Sequence, residues 1–122
     1  MAAWNLALRF VLEMSALVAI GAAAWQSTDG IVRWVAVLMA PLVAVALWGT
    51  LNVQDDPSRS GKAPIEVDGW VRLAVEAVVF GSGTLGLIII EGLWLGMAFL
   101  VLVVVHNVVA RNRIVWLLAT KS

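Results

Sequence analysis

Four long stretches of this chain hold almost nothing that water would solvate. They run from about Leu6 to Trp25, Ile31 to Leu51, Trp70 to Ile90 and Leu93 to Ala110. Each covers about 18–21 residues, enough at about 1.5 Å per residue to cross about 30 Å of hydrocarbon. The runs are apolar on all sides rather than alternating, so they read as helices and not as barrel strands. In lipid a helix satisfies its own backbone donors and acceptors, which a lone strand does not. The expected fold class is therefore all-α, a four-helix transmembrane bundle in a single integral membrane domain spanning 1–122.

The connections refine this. Gln26-Ser27-Thr28-Asp29-Gly30 and Glu91-Gly92 are short, and each closes a helical hairpin. The middle connection, 52–69, is longer and polar, with Asp55-Asp56-Pro57 and Lys62-Ala63-Pro64. After Ala110 come Arg111 and Arg113, then an apolar tail from Ile114 to Leu118. That tail is too short to span, so it is expected either to lie at the interface with Trp116 as anchor or to continue the fourth helix. Ala22-Ala23-Ala24 imitates a signal-peptide cleavage site, but no Lys or Arg precedes the run and Glu13 falls within it, so the segment reads as retained.

Orientation follows the positive residues. With four spans, Arg9, Arg59, Lys62, Arg72, Arg111, Arg113 and Lys121 share one side and Arg33 stands alone on the other. Both termini and the middle loop are thus expected in the cytoplasm. Trp4, Trp25, Trp34, Trp48 and Trp70 lie at or near span ends, as an interfacial belt requires.

Composition removes several classes of function. The formal net charge is zero and no basic patch with interleaved aromatics is present, so nucleic acid is not an expected partner. Cysteine is absent, which excludes thiol catalysis and Cys-ligated metal, and one His does not make a His-rich metal site. Gly81-Ser82-Gly83 has no Walker lysine after it. Ser15, His106 and a Glu form no recognisable triad motif. The residues point to no catalytic role, no metal and no nameable cofactor. The expected partner is the lipid bilayer, and self-association into a homo-oligomer is compatible with a chain of this size.

What stands out is a pattern that occurs twice. Arg9 and Glu13 open the first run, and Arg72 and Glu76 open the third, each pair four residues apart on one helix face. Ionisable groups inside spans are costly, at about 2.5–3.5 kcal/mol each on insertion scales, and default to a functional hypothesis. The offset of 63 residues suggests two parallel-repeat hairpins related by an axis along the membrane normal. Arg before Glu is the weaker order for a bridge within a helix. Cross-pairing of Arg9 with Glu76 and of Arg72 with Glu13 is the expectation. Asn5, Trp48, His106 and Asn107 fall at the same inner-leaflet depth and are the candidate walls.

Three readings compete for this cluster. One is a polar clasp that fixes the two halves. The second is a site for an ion, a proton or a ligand. The third is that the Args merely snorkel to the headgroups. Asp55, Asp56, Glu66 and Asp68 are expected to be solvated loop charges, and Arg111 and Arg113 topology determinants that touch anionic lipid. Gly92 with Gly96, and Ser82 with Gly86, are small-residue pairs suited to close helix contact. Pro41 is expected to kink the second span.

Trp4-Asn5-Leu6-Ala7-Leu8-Arg9-Phe10 with Leu12-Glu13, Trp48-Gly49, and Arg72-Leu73-x-x-Glu76-x-x-x-Phe80-Gly81 together resemble the YrdB-like family. The resemblance implies a small four-helix membrane protein of a prokaryotic cytoplasmic membrane, and it implies no activity. Small multidrug resistance transporters share the size and an early Glu. This chain differs by placing an Arg one turn before that Glu, by repeating the pair and by lacking their surrounding motif. The functional expectation is a membrane protein whose inner-leaflet polar cluster binds a small ligand, a lipid headgroup or a partner protein. The alternative is a small proton- or cation-coupled transporter or channel using Glu13 and Glu76.

Overall fold

The computed structural model describes residues 1–59 and 61–121. It is helical, with α1 (Ala3–Gln26), α2 (Gly30–Thr50), α3 (Gly69–Glu91), α4 (Leu93–Val109) and α5 (Arg111–Ala119). Between α2 and α3, β1 (Leu51–Asn52) and β2 (Ile65–Glu66) pair in parallel, with Leu51 opposite Ile65 and Asn52 opposite Glu66. Three helices, α1, α2 and α3, are long and apolar enough to cross a membrane. Taken together, α4 and α5 would make a fourth span, bent by 70° at Ala110.

α1 and α3 form the central pair, with α2 packed on α1 and α4 on α3. The buried positions of α1 include Asn5, Arg9, Leu12, Ala16, Ala19 and Ala23; those of α3 include Arg72, Glu76, Val79, Gly83 and Gly86. Both stripes alternate steps of four and three, the spacing that keeps one seam facing a partner helix. Each seam is charged at one end and made of small residues at the other. A Cβ on Gly83 would stand 2.7 Å from the Cβ of Ala16, and one on Gly86 would stand 2.8 Å from the carbonyl oxygen of Ala19. Backbones approach this closely only because the side chains are missing, and in lipid such packing is a main source of helix association. The packing pair is thus Gly83 and Gly86, since Ser82 is exposed. Gly96 is tight against Ile88 and Thr84, whereas Gly92 serves the turn between α3 and α4 with φ of 103°, a value that disfavours any other residue.

The pair is parallel and in constant register. Arg9 meets Glu76, Ala16 meets Gly83 and Ala19 meets Gly86, each separated by 67 residues. The repeated Arg/Glu pattern has an offset of 63. The two hairpins are therefore staggered by four residues, just over one helical turn or about 6 Å. Phe80 and Phe99 fill the space below the charged end, among Leu12, Val79 and Val103.

α2 is continuous through Pro41, whose ring lies against Gly21 of α1. Only Ala44 of α2 is buried. The tail neither continues α4 nor floats free. It turns back as α5 and packs on α3: Leu117 is fully buried, Gly69 N donates to Thr120 O at 2.9 Å, and a Cβ on Gly69 would overlap the Leu117 carbonyl.

Candidate functional site

Glu76 sits at the centre of the charged end. Its Oε1 accepts from Arg9 Nη1 at 3.2 Å and from Arg113 Nη1 at 3.0 Å. Its Oε2 accepts from Arg72 Nε at 3.0 Å and from Arg113 Nη2 at 2.7 Å. Four charge-assisted bonds use the roughly four acceptor sites a carboxylate offers. Arg113 then reaches a second acid: its Nε donates to Asp56 Oδ1 at 2.8 Å and its Nη2 to Asp56 Oδ2 at 2.7 Å. One planar guanidinium thus forks two carboxylates at once, a geometry Lys does not reproduce. The side chains of Arg113, Asp56 and Glu76 are 1%, 0% and 5% exposed.

Arg72 closes the end of α2. Its Nη1 donates to the carbonyls of Trp48 at 2.6 Å and Leu51 at 3.0 Å, placing a cation where the helix macrodipole is negative. The Trp48 ring lies under both guanidinium groups, 5.0 Å from Arg9 and 4.5 Å from Arg72, and meets Phe80 edge-on at 5.2 Å. An indole face stabilises such cations by about 0.5–2 kcal/mol.

His106 is a neutral wall of the cluster. Arg9 Nη1 lies 3.2 Å from His106 Nε2, and a guanidinium can only donate, so Nε2 accepts and the ring proton is on Nδ1. That Nδ1–H donates to Asn5 Oδ1 at 2.9 Å, while Asn5 Nδ2 donates to the His106 carbonyl at 3.2 Å. Asn107 takes a lesser part: it donates to Val103 O within α4 and lines a cavity of about 280 Å³ with Glu76, Phe80 and Gly81.

Of the two expected cross-bridges, the structure forms Arg9–Glu76 and not Arg72–Glu13. The one-turn stagger sets Arg9 level with Glu76, which carries Glu13 and Arg72 apart in opposite directions. Both bridges within a helix do form, Arg9–Glu13 at 3.1 Å and Arg72–Glu76 at 3.0 Å, despite the weaker order. Two further expectations need correction. Asp56 is 3% exposed, not solvated, and Arg113 is 3% exposed, not at the lipid surface. Their fork draws each out of water, and a buried charge persists only with a partner. Burial pushes the Asp56 carboxyl up. The hydrogen bonds and charge of Arg113 and the Ser58 N–H outweigh that and hold it at about 2, against an ordinary 3.8. Asp55 and Glu66 are exposed as expected.

Glu13 differs from the other acids. It is half-buried, its side chain 21% exposed, and it lines a cavity of about 160 Å³ with Met14, Leu17, Val45, Trp48, Gly49 and Val79. The cluster therefore comprises three Arg and three acids, and five of these six are closed in by protein. Among the described residues no group of three or more His, Asp or Glu is arranged to hold a metal ion.

Comparison with known proteins agrees with the sequence resemblance. No solved structure matches the chain. The uncharacterized protein YrdB of Bacillus subtilis (strain 168) is 37% identical over 114 residues, covering 93% of each chain. A family model described as "Protein of unknown function (DUF2568)" matches residues 7–104. Both the Arg9/Glu13 and the Arg72/Glu76 pair lie inside that match, and the chain belongs to this family of YrdB-like proteins.

Proposed function

We propose that the chain is a multi-pass protein of the cytoplasmic membrane that binds an amphiphilic small molecule beside its charged cluster. In this reading α1 to α4 form a four-helix transmembrane bundle in one domain. Both termini, the 52–69 connection and α5 lie on the cytoplasmic side. Burial of Arg9, Arg72 and Arg113 in the cluster still leaves Arg59, Lys62, Arg111 and Lys121 on that side against Arg33 on the other, which supports the orientation. The exposed length of α2 then faces lipid. Most of the cluster acts as a clasp, and Glu76, already saturated, has no acceptor site left for a ligand. The observation that carries the binding role is the cavity that holds Glu13 among apolar side chains at the edge of this clasp.

Mass spectrometry of the intact protein purified from its membrane tests this. Wild type retains an amphiphile, and Gly49→Leu, which fills the cavity, loses it. Equal occupancy in both would reject the site. Because the chain has no Cys, single Cys residues at Lys62 and Ser27 test orientation: an impermeant maleimide added outside intact cells should label only position 27.

A proton- or cation-coupled transporter or channel is a second reading, favoured by one observation, the access of Glu13 to this cavity. It would rest on Glu13 and not on Glu76. Proton or cation flux in liposomes that Glu13→Gln abolishes would support it, and absence of flux in the wild type would reject it.

A further inference from the structure

Resting on that reading, we infer that the cavity beside Glu13 takes a single-chain amphiphile whose buried end is a primary ammonium.

The chemistry of the lining selects the head. Arg9 Nε stands 3.1 Å from Glu13 Oε1, and the Glu13 side chain remains 21% exposed. The cavity's other walls are Met14, Leu17, Val45, Gly49, Val79 and the ring of Trp48. Glu13 is thus the one charged group on the cavity surface, and it has an acceptor to offer. A carboxylate beside apolar side chains is stabilised by any donor that reaches it, and a ligand N–H is such a donor. An anionic head would meet Glu13 directly, with the nearest cation, Arg9, 2% exposed and held in the cluster. A quaternary ammonium carries charge but no N–H.

The size of the cavity selects the rest. At about 160 Å³ it is close to an engineered cavity of about 150 Å³ that accepts benzene. It accommodates a compact head and the first part of one chain, and the remainder leaves along Met14, which is exposed. A diacyl aminophospholipid would bring its phosphate against Glu13. Gly49 keeps the space open, since a Cβ there meets nothing within 4 Å. Substitution at Gly49 therefore fills the cavity without touching the ion network.

The test titrates decylammonium, decanol and decanoate into the full-length protein in phosphatidylcholine nanodiscs, with Gly49→Leu as the background. Decylammonium is expected to bind saturably, decanol at least about tenfold more weakly, a loss of about 1.4 kcal/mol, and decanoate not at all. Glu13→Gln should reduce decylammonium to the level of decanol. Equal binding of decanol and decylammonium, or no effect of Glu13→Gln while Gly49→Leu abolishes binding, would overturn the ammonium assignment and leave the cavity's role as a binding site intact. Identical behaviour of Gly49→Leu and wild type toward all three would overturn both. Adding phosphatidylethanolamine to the nanodiscs should leave decylammonium binding unchanged; strong competition would make the diacyl lipid the occupant and reject the single-chain assignment.

Discussion

Arg9 of α1 donates to Glu76 of α3 at 3.2 Å, across a parallel pair whose seam has shifted by one turn from the register of its own repeat. The shift concentrates the pairing. A symmetric arrangement would give two equal bridges, whereas the staggered one makes Glu76 the shared acceptor of three Arg side chains and leaves Glu13 at the margin.

The first prediction follows from that asymmetry. Glu76→Gln leaves three buried guanidinium groups around a neutral amide, and breaking a buried charge network by removing one partner costs about 3–5 kcal/mol. Chemical unfolding in detergent should show a much smaller loss for Glu13→Gln. Exchanging Arg9 and Glu76 should not restore stability, because an Arg at position 76 would face Arg72 and Arg113. Recovery in the exchange variant would mean that the Arg9–Glu76 pair acts alone.

A second prediction concerns the small-residue end of the seam. Gly83→Ala sets a methyl group 2.7 Å from the Cβ of Ala16, an overpacking that costs about 1–3 kcal/mol. Ala16→Gly should recover part of it, giving a coupling of about 0.5–3 kcal/mol in a double-mutant cycle. Gly81→Ala, where an added Cβ meets nothing within 4 Å, should be close to neutral in the same thermal melts.

Much of this seam was legible in the sequence. The apolar runs coincide with α1 to α4 to within three residues at their ends, because hydrophobic length and the lack of alternation both report a helix. Asn5, Arg9, Trp48, Arg72, Glu76 and His106 do come together, since their depth along each helix could be counted from its ends. Asp56 and Arg113 could not be found that way. One lies in the polar connection and the other beyond the 70° bend, and periodicity carries no information across either. A usable signal was present nonetheless. Arg113 and Leu117 are four apart, on the one face of α5 that is buried, and Asp56-Pro57-Ser58 favours the turn in which Ser58 N donates to Asp56 Oδ1 at 2.8 Å. The stagger itself was illegible. A repeat fixes which residues correspond, and close packing of Gly83 and Gly86 on Ala16 and Ala19 fixes which ones meet.

The third prediction is a pH dependence. Asp56 is held at about 2, below its ordinary 3.8. A carboxyl with a lowered folded-state value contributes stability in full above the unfolded value, and that contribution disappears as pH falls through the folded one. Wild type should therefore exceed Asp56→Asn in stability between pH 5 and 7, roughly constantly, and the gap should close between about pH 4 and pH 2. Unfolding midpoints measured across that range check it. A gap that persists at pH 2 would mean that the Arg113–Asp56 pair is not what the substitution removes.

The fourth prediction concerns α5. Gly69→Ala would push its side chain into the Leu117 carbonyl, so α5 should leave α3 and expose the chain after Arg111 and Arg113. Trypsin should then cut there at least about tenfold faster than in wild type, as expected when local opening becomes easier by about 1.4 kcal/mol. Unchanged cleavage would show that α5 is held by Arg113 alone.

The bridges within α1 and within α3 look redundant beside the network around Glu76, yet they bear on how the chain is made. Each of these helices carries one Arg and one Glu already in contact, so in the membrane reading proposed above each would enter the bilayer as a neutral unit with its own counter-charge. The last pair departs from that rule, since Asp56 precedes α3 in the chain and its partner Arg113 follows α4. The cluster is thus balanced at completion of α1, carries the single negative charge of Asp56 at completion of α3, and is balanced again once α5 supplies Arg113.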